Sequence, residues 1–281
     1  MTDLRRRMLD DMQLHGYAER TRESYANVVG GLAKHYGRPP DQLTEEDIRN
    51  FFLHLINERK SARATLVIYL SGIKFFFEKT LGRKWQVFDL LLPPKSKKLP
   101  AVLSRKEVET ALGKVRNATI KMALTLIYVC GLRLHEAVSL TINDIDGKRM
   151  QVRVHGKGGK DRDVPLPAGM IEPLRDYWRL HRSTHWLFPS ERLQGAAISD
   201  AAIQKAFRSA LKESGVRKKA SVHTLRHSYA THLLEDGVSL RFIQMLLGHQ
   251  SPTTTAIYTH LTKPGERRVK KSINRLMADP G

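Results

Sequence analysis

His223 and Arg226 stand three residues apart in His223-Thr224-Leu225-Arg226-His227. On a helix that spacing puts both on one face, where an imidazole and a guanidinium can converge on one anion. The same stretch offers a rival, because His223 and His227, four apart, suit a metal ion. A zincin carries Glu beside its first His, however, where Thr224 stands here, and neither Cys nor a third carboxylate ligand follows nearby. Arg133 and Glu136 repeat the three-residue spacing; taken alone they read equally well as an ion pair on a helix surface. Gly156-Lys157-Gly158-Gly159-Lys160 puts a lysine on a Gly-rich turn, able to enter a groove and approach a phosphate or a base. A Walker loop needs a longer spacer between its glycines and Ser or Thr after its Lys, but Asp161 follows Lys160, so ATP use is unsupported. In isolation this loop reads more readily as a solvated turn. The last cluster is Leu247-Gly248-His249 with Tyr258; Pro252 forbids one continuous helix between them, so they lie on separate elements that fold together. A tyrosine at its ordinary pKa of about 10 becomes a useful nucleophile only when cations or a base stabilise its phenolate.

Helices must position most of these groups. Apolar spacing predicts one from Leu4 to His15 and another from Arg20 to Tyr36, stopped by Gly37 and Pro39-Pro40. Thr44 with Asp47 resembles a capping box ahead of Ile48, Phe51, Phe52, Leu55 and Ile56. Ser61 opens a fourth helix carrying Leu66, Ile68, Leu70, Ile73, Phe76 and Phe77, and this aromatic stripe reads as core rather than as a base-stacking platform. Three prolines in Leu92-Pro93-Pro94-Lys95-Ser96-Lys97-Lys98-Leu99-Pro100 forbid helix, which marks a linker whose lysines stay wet and can touch phosphates. Beyond it, Ser104 and Glu107 form a second capping box, and an apolar helix from Asn117 to Cys130 stops at Gly131. Residues 132–138 continue as helix. Met150 to His155 alternates as a strand, and Asp161 to Leu166 pairs back as a hairpin. Further helices are predicted near 167–182, 199–214, 223–236 and 239–247, with Ser251-Pro252 opening a short one through Tyr258.

The chain has 281 residues and a formal net charge of +20. Its length suits about two domains of about 100–200 residues. With 41% hydrophobic residues it can build real cores, which excludes a disordered basic tail. A single Cys, Cys130, excludes a disulfide framework and a Cys-rich zinc site. The opening residues 1–11 lack the apolar core expected of a signal peptide, and no apolar run is long enough to span a bilayer. Residues 1–95 hold 16 Lys+Arg and 12 Asp+Glu, a net of +4; the remaining 32 and 16 give +16. The field therefore belongs mostly to the second part and points to a polyanion, nucleic acid ahead of an anionic membrane.

Together, Gly131-Leu132-Arg133-Leu134-His135-Glu136, Gly156-Lys157-Gly158, His223-Thr224-Leu225-Arg226-His227, Leu247-Gly248-His249 and Tyr258 resemble the catalytic signature of the tyrosine recombinases, the phage integrase family. They occur in that family's order and at its typical distances, and the size is similar to Xer-type recombinases and mobile-element integrases. The resemblance implies a mainly α fold with a small antiparallel β-sheet. It places an N-terminal four-helix SAM-like core-binding domain at residues 1–91, a linker at 92–100 and an α+β catalytic domain at 101–281.

The implied activity is site-specific recombination of duplex DNA, in integration, excision or resolution, through a 3′-phosphotyrosyl intermediate, with neither ATP, cofactor nor metal. Tyr258 would be the nucleophile and Lys157 the general acid at the leaving 5′-oxygen. Arg133 and Arg226 would stabilise the phosphorane-like transition state, His223 and His249 would hydrogen-bond or shuttle the tyrosine proton, and Glu136 would orient its neighbours. The implied partners are recombination-site DNA and, at synapsis, three further copies of the chain. The same resemblance implies a monomer or weak self-association off DNA, room for accessory proteins, no membrane, and a place in the bacterial cytosol on the nucleoid. Residues 265–277 suit a short helix docking on a neighbouring subunit or on their own. A type IB topoisomerase-like enzyme would share the tyrosyl chemistry but rejoin the same strands, and a non-catalytic DNA-binding accessory protein would lack it. Two-site recombinant product, supercoil relaxation and a nicked suicide substrate separate the three.

Overall fold

The computed structural model describes residues 2–90, 100–156, 159 and 161–248. Lys157, His249, Tyr258, the short helix expected after Ser251, the tail at 265–277 and nearly all of the linker lie outside the described residues. The chain divides into two compact units, residues 1–97 and 98–281. No described helix is long and apolar enough to cross a membrane.

The first unit is helical throughout: α1 (Asp3–Leu14), α2 (Glu19–Tyr36), α3 (Glu45–Asn57), α4 (Arg63–Phe75) and a short α5 (Val87–Leu90). Met8 and Met12 bury the inner face of α1, and Gly37, at φ +64°, ends α2 in the left-handed conformation that closes a helix. Thr44 and Asp47 form the expected reciprocal cap of α3. Ile48, Phe51, Phe52 and Leu55 are buried, so the aromatic stripe is core. Two expected core residues are exposed instead: Ile56 falls at the margin of the apolar stripe of α3, and Ile68 lies on the side of α4 opposite Leu66, Leu70 and Ile73. Past α4 the winding widens to a π-helical turn, Phe76–Thr80, in which the adjacent Phe76 and Phe77 are both buried. Helix α5 has no reading in its sequence; Glu45 Oε1 accepts from the Val87 amide and Phe88 joins Phe77 and Trp85 in an aromatic cluster.

The second unit is mainly α with a three-stranded antiparallel sheet: α6 (Arg105–Gly113), α7 (Ala118–Val129), α8 (Leu134–Val138), β1 (Ile145–Asp146), β2 (Gln151–Val154), β3 (Arg162–Pro165), α9 (Ile171–His181), α10 (Asp200–Glu213), α11 (Val222–Glu235) and α12 (Leu240–Leu247). The strands lie in the order β1-β2-β3. Helix α7 is capped by Asn117 and runs through the middle of this unit. It buries Ile120, Ala123, Leu124, Leu126 and Ile127, which is why its sequence is apolar on nearly every side. Gly131 follows it at φ +62°. In the hairpin Val152 faces Val164 and Val154 faces Arg162. The strand β1 is two residues long and directly follows a 3-10 turn at Ile142–Asp144.

Candidate functional site

The capping interaction of α8 brings the first pair together. Arg133 precedes this short helix and Glu136 sits in its first turn, so the Glu136 carboxylate reaches back to accept the Arg133 amide (2.7 Å). It also accepts Arg133 Nη1 (2.6 Å). The pair is not a surface decoration: the Glu136 side chain is 8% exposed, while that of Arg133, at 41%, stays open to a ligand. Two more guanidiniums meet this carboxylate. Arg162 donates Nη1 to Oε1 (3.0 Å) and Nη2 to Oε2 (2.8 Å), and Arg226 Nη1 stands 3.6 Å from Oε2. Three fixed cations around one anion leave a local charge of +2.

Main-chain carbonyls complete the arrangement. Arg226, buried on α11, donates Nη1 to Gly131 O (2.7 Å) and Nη2 to Leu247 O (2.6 Å). Arg162 donates Nε to Leu246 O (2.9 Å), and Arg133 donates Nη2 to Gly248 O (3.3 Å). The last carbonyls of a helix have no partner within it and carry its negative dipole end. Three consecutive carbonyls at the end of α12 thus take one arginine each.

Both glycines involved have positive φ, +62° at Gly131 and +61° at Gly248. A Cβ at Gly131 would overlap the Tyr229 ring; one at Gly248 would come within 3.2 Å of Arg162 Cδ.

Burial alone would push the Glu136 carboxyl up. Hydrogen bonds from Arg162 and from the Arg133 amide, with the Arg162 charge, outweigh it and hold the group at about 2. It is therefore a permanent anion that orients cations and carries no proton at neutral pH. Tyr229, against Gly131, is pushed up to about 12 by burial, so it is no ready nucleophile. His223 is exposed one turn before Arg226, on the face expected. His227, half-buried, is held below the ordinary imidazole range by burial first and then by His223 and Arg226. Among the described residues no three His, Cys, Asp or Glu side chains are grouped as metal ligands.

Sequence reasoning missed two members. In the sequence Arg162 stands only as part of a hairpin strand; the usable signal is a charge in register with Val164 and Leu166 on the face that alternation sends inward. His155 opens the Gly-rich turn, its Nε2 on Asp144 Oδ1 (2.9 Å) and its Nδ1 on Asp161 Oδ2 (2.8 Å). These bonds tie His155 to the residue just before β3 and to the segment before β1. Arg133, Glu136 and Arg226 are brought together, and His223 stands one turn before Arg226 on α11. The set can hold a phosphate and take up the charge that builds during displacement at phosphorus, since fixed guanidiniums cost no reorganisation as that charge develops.

Comparison with known proteins bears on the same residues. A profile described as "Phage integrase family" matches residues 101–264, and one described as "Phage integrase, N-terminal SAM-like domain" matches residues 4–87. The "Putative integrase/recombinase y4qK" of Sinorhizobium fredii is 45% identical over 93% of this chain and 85% of its own length. Among solved structures, XerH site-specific recombinase bound to palindromic difH substrate, in a post-cleavage complex, aligns with a TM-score of 0.68. It shares 25% identity and covers 90% of this chain and 78% of its own. A lambda integrase tetramer bound to a Holliday junction aligns at 0.73 with 21% identity, over 90% and 75%, a likeness of fold.

Proposed function

Since the chain belongs to the phage integrase family and is a site-specific DNA recombinase, we propose that the arginine cluster on Glu136 is the place where it cuts and rejoins duplex DNA. The observation that carries this is the convergence of Arg133 and Arg226 on one buried carboxylate, at the family's motif positions, with a surplus of two positive charges. Tyr258 attacks the scissile phosphorus. The Tyr258 Oη–P bond forms, the P–O5′ bond breaks, and a 3′-phosphotyrosyl link and a 5′-hydroxyl result. Lys157 delivers a proton to the leaving 5′-oxygen, and the tyrosine proton passes to His223 or His249. Arg133 and Arg226 hold the non-bridging oxygens, and Glu136 holds the arginines. Attack by a 5′-hydroxyl from a second duplex reverses the step, so the bond energy is kept and neither ATP, cofactor nor metal is needed.

Residues 1–91 serve as the core-binding domain, 92–100 as a linker near the phosphates and 101–281 as the catalytic domain. The chain is a monomer or weakly self-associated off DNA and a tetramer at synapsis, with accessory proteins where direction must be set, and it works on the nucleoid in the cytosol. The test uses a pool of random-sequence nicked duplexes with the full chain, denatured in detergent after incubation. Wild type should retain covalently bound DNA, and Tyr258→Phe should retain none while shifting the pool in a gel as before. An adduct in the Phe variant refutes the nucleophile.

A further inference from the structure

Arg162 occupies a core-facing register of β3. It lies across from Val154, and Val152 and Val164 face each other two positions on; all three valines are fully buried. Alternation therefore sends the Arg162 side chain inward, where a charge survives only if it is paired. Its side chain is 13% exposed and has three partners: Nε on Leu246 O, Nη1 and Nη2 on the two oxygens of Glu136. Those bonds tie three elements together, the hairpin through β3, helix α8 through Glu136, and the end of α12 through Leu246. The same carboxylate and the next two carbonyls of α12 hold Arg133 and Arg226.

We propose that Arg162 is a positioning residue for strand cleavage, setting how Arg133 and Arg226 are presented to the scissile phosphate. The inference rests on the reading of those two arginines as phosphate ligands. Its physical content is a competition for Glu136. Arg162 grips both carboxylate oxygens, so Arg226 stays at 3.6 Å from Oε2 rather than closing into direct contact. Without Arg162 the carboxylate would draw Arg226 inward, and the cluster would drop from three cations to two around the same anion. Binding of DNA, spread over many phosphates, would feel this little; a transition state charged at one phosphorus would feel it strongly. Lysine is no substitute, because a single ammonium lacks the planar fork that spans two carboxylate oxygens and a carbonyl at once.

The experiment takes the duplex enriched from the random pool above and the full chain as wild type, Arg162→Ala and Arg162→Lys. It measures single-turnover cleavage at saturating protein, duplex affinity by gel shift, folding by circular dichroism, and amide hydrogen exchange over residues 243–248. The Ala variant should cleave about a hundredfold more slowly while its Kd moves by less than about threefold. Lys should recover only part of the rate, and added guanidinium ion should raise the rate of the Ala variant. Exchange over residues 243–248 should quicken by about tenfold in the Ala variant.

A folded Ala variant cleaving at the wild-type rate overturns the proposal, as does a Lys variant equal to wild type. So does a loss of rate matched by an equal loss of affinity. If the Ala variant does not fold, the Lys variant decides on the same terms. If wild type captures no DNA at all, the recombinase-site reading fails separately. The cleavage role of Arg162 then falls with it, whereas a wild type that cleaves beside an equally active Ala variant overturns the proposal alone.

Discussion

Replacing Glu136 by Gln removes one negative charge and almost no volume from the midst of three guanidiniums. The wild-type carboxyl lies at about 2 against an ordinary 4.5. At about 1.36 kcal/mol per pH unit, that difference is worth about 3 kcal/mol of stability at neutral pH. A second route gives the same scale, because removing one partner of a buried ion pair costs about 3–5 kcal/mol through the charge left behind. Here the stranded charges are Arg162 and Arg226, with side chains 13% and 6% exposed. Glu136→Gln should therefore lose about 3 kcal/mol at pH 7. The pH dependence has a defined sign. A carboxyl depressed on folding contributes fully above its unfolded value and loses that contribution as pH falls towards its folded one. The gap between wild type and variant should then stay constant above pH about 5 and close as pH falls to about 2. Urea unfolding measures it, followed by the fluorescence of Trp178 and Trp186 in a Trp85→Phe background, since Trp85 belongs to the other compact unit. A loss below about 1 kcal/mol at pH 7, or a gap that does not narrow on acidification, refutes the claim that Glu136 is an ion-paired anchor.

Three further outcomes are expected. Gly131→Ala places a Cβ on a left-handed residue and into the Tyr229 ring, so urea unfolding should show a loss of about 2–4 kcal/mol. Gly113→Ala, with open space around the new methyl, should stay within about 0.5 kcal/mol of wild type or gain stability. His155 is held above its ordinary value near 6.5, by its hydrogen bond to Asp144 first and to Asp161 second. Its contribution to stability is therefore complete below that ordinary value and is lost as pH rises through the folded one. An NMR titration of the imidazole should give a midpoint above 6.5 that Asp144→Asn lowers; a wild-type midpoint at or below 6.5 refutes the pairing of His155 with the two carboxylates.

Most elements were legible because each carried a local signal. The caps at Thr44, Ser104 and Asn117 and the stops at Gly37 and Gly131 all lie within a residue or two of their helix ends. Arg133, Glu136 and Arg226 were legible by motif and spacing. What local spacing does not contain is the partner. That Arg133 bonds Gly248 and Arg226 bonds Leu247 depends on chain closure over many residues, and nothing near Arg133 announces it. Arg162 fell through for a related reason. A strand's two-residue period assigns faces only once its register is known, and a charged residue is ordinarily assigned to the outer one. The change of winding at Phe76 was equally hidden, since adjacent phenylalanines fit no helical stripe until the turn widens.

The arginines at the end of α12 grip main-chain oxygen, which every residue type supplies. Substitution at Leu246 or Leu247 by another apolar side chain leaves each acceptor where it was. A single residue inserted into α12 does not, for it rotates everything after it by about a third of a turn and passes each guanidinium to the wrong carbonyl. The site is thus tolerant of spelling and intolerant of length. Libraries that vary this helix by substitution should return many active members, whereas insertions and deletions between Leu240 and Gly248 should return almost none.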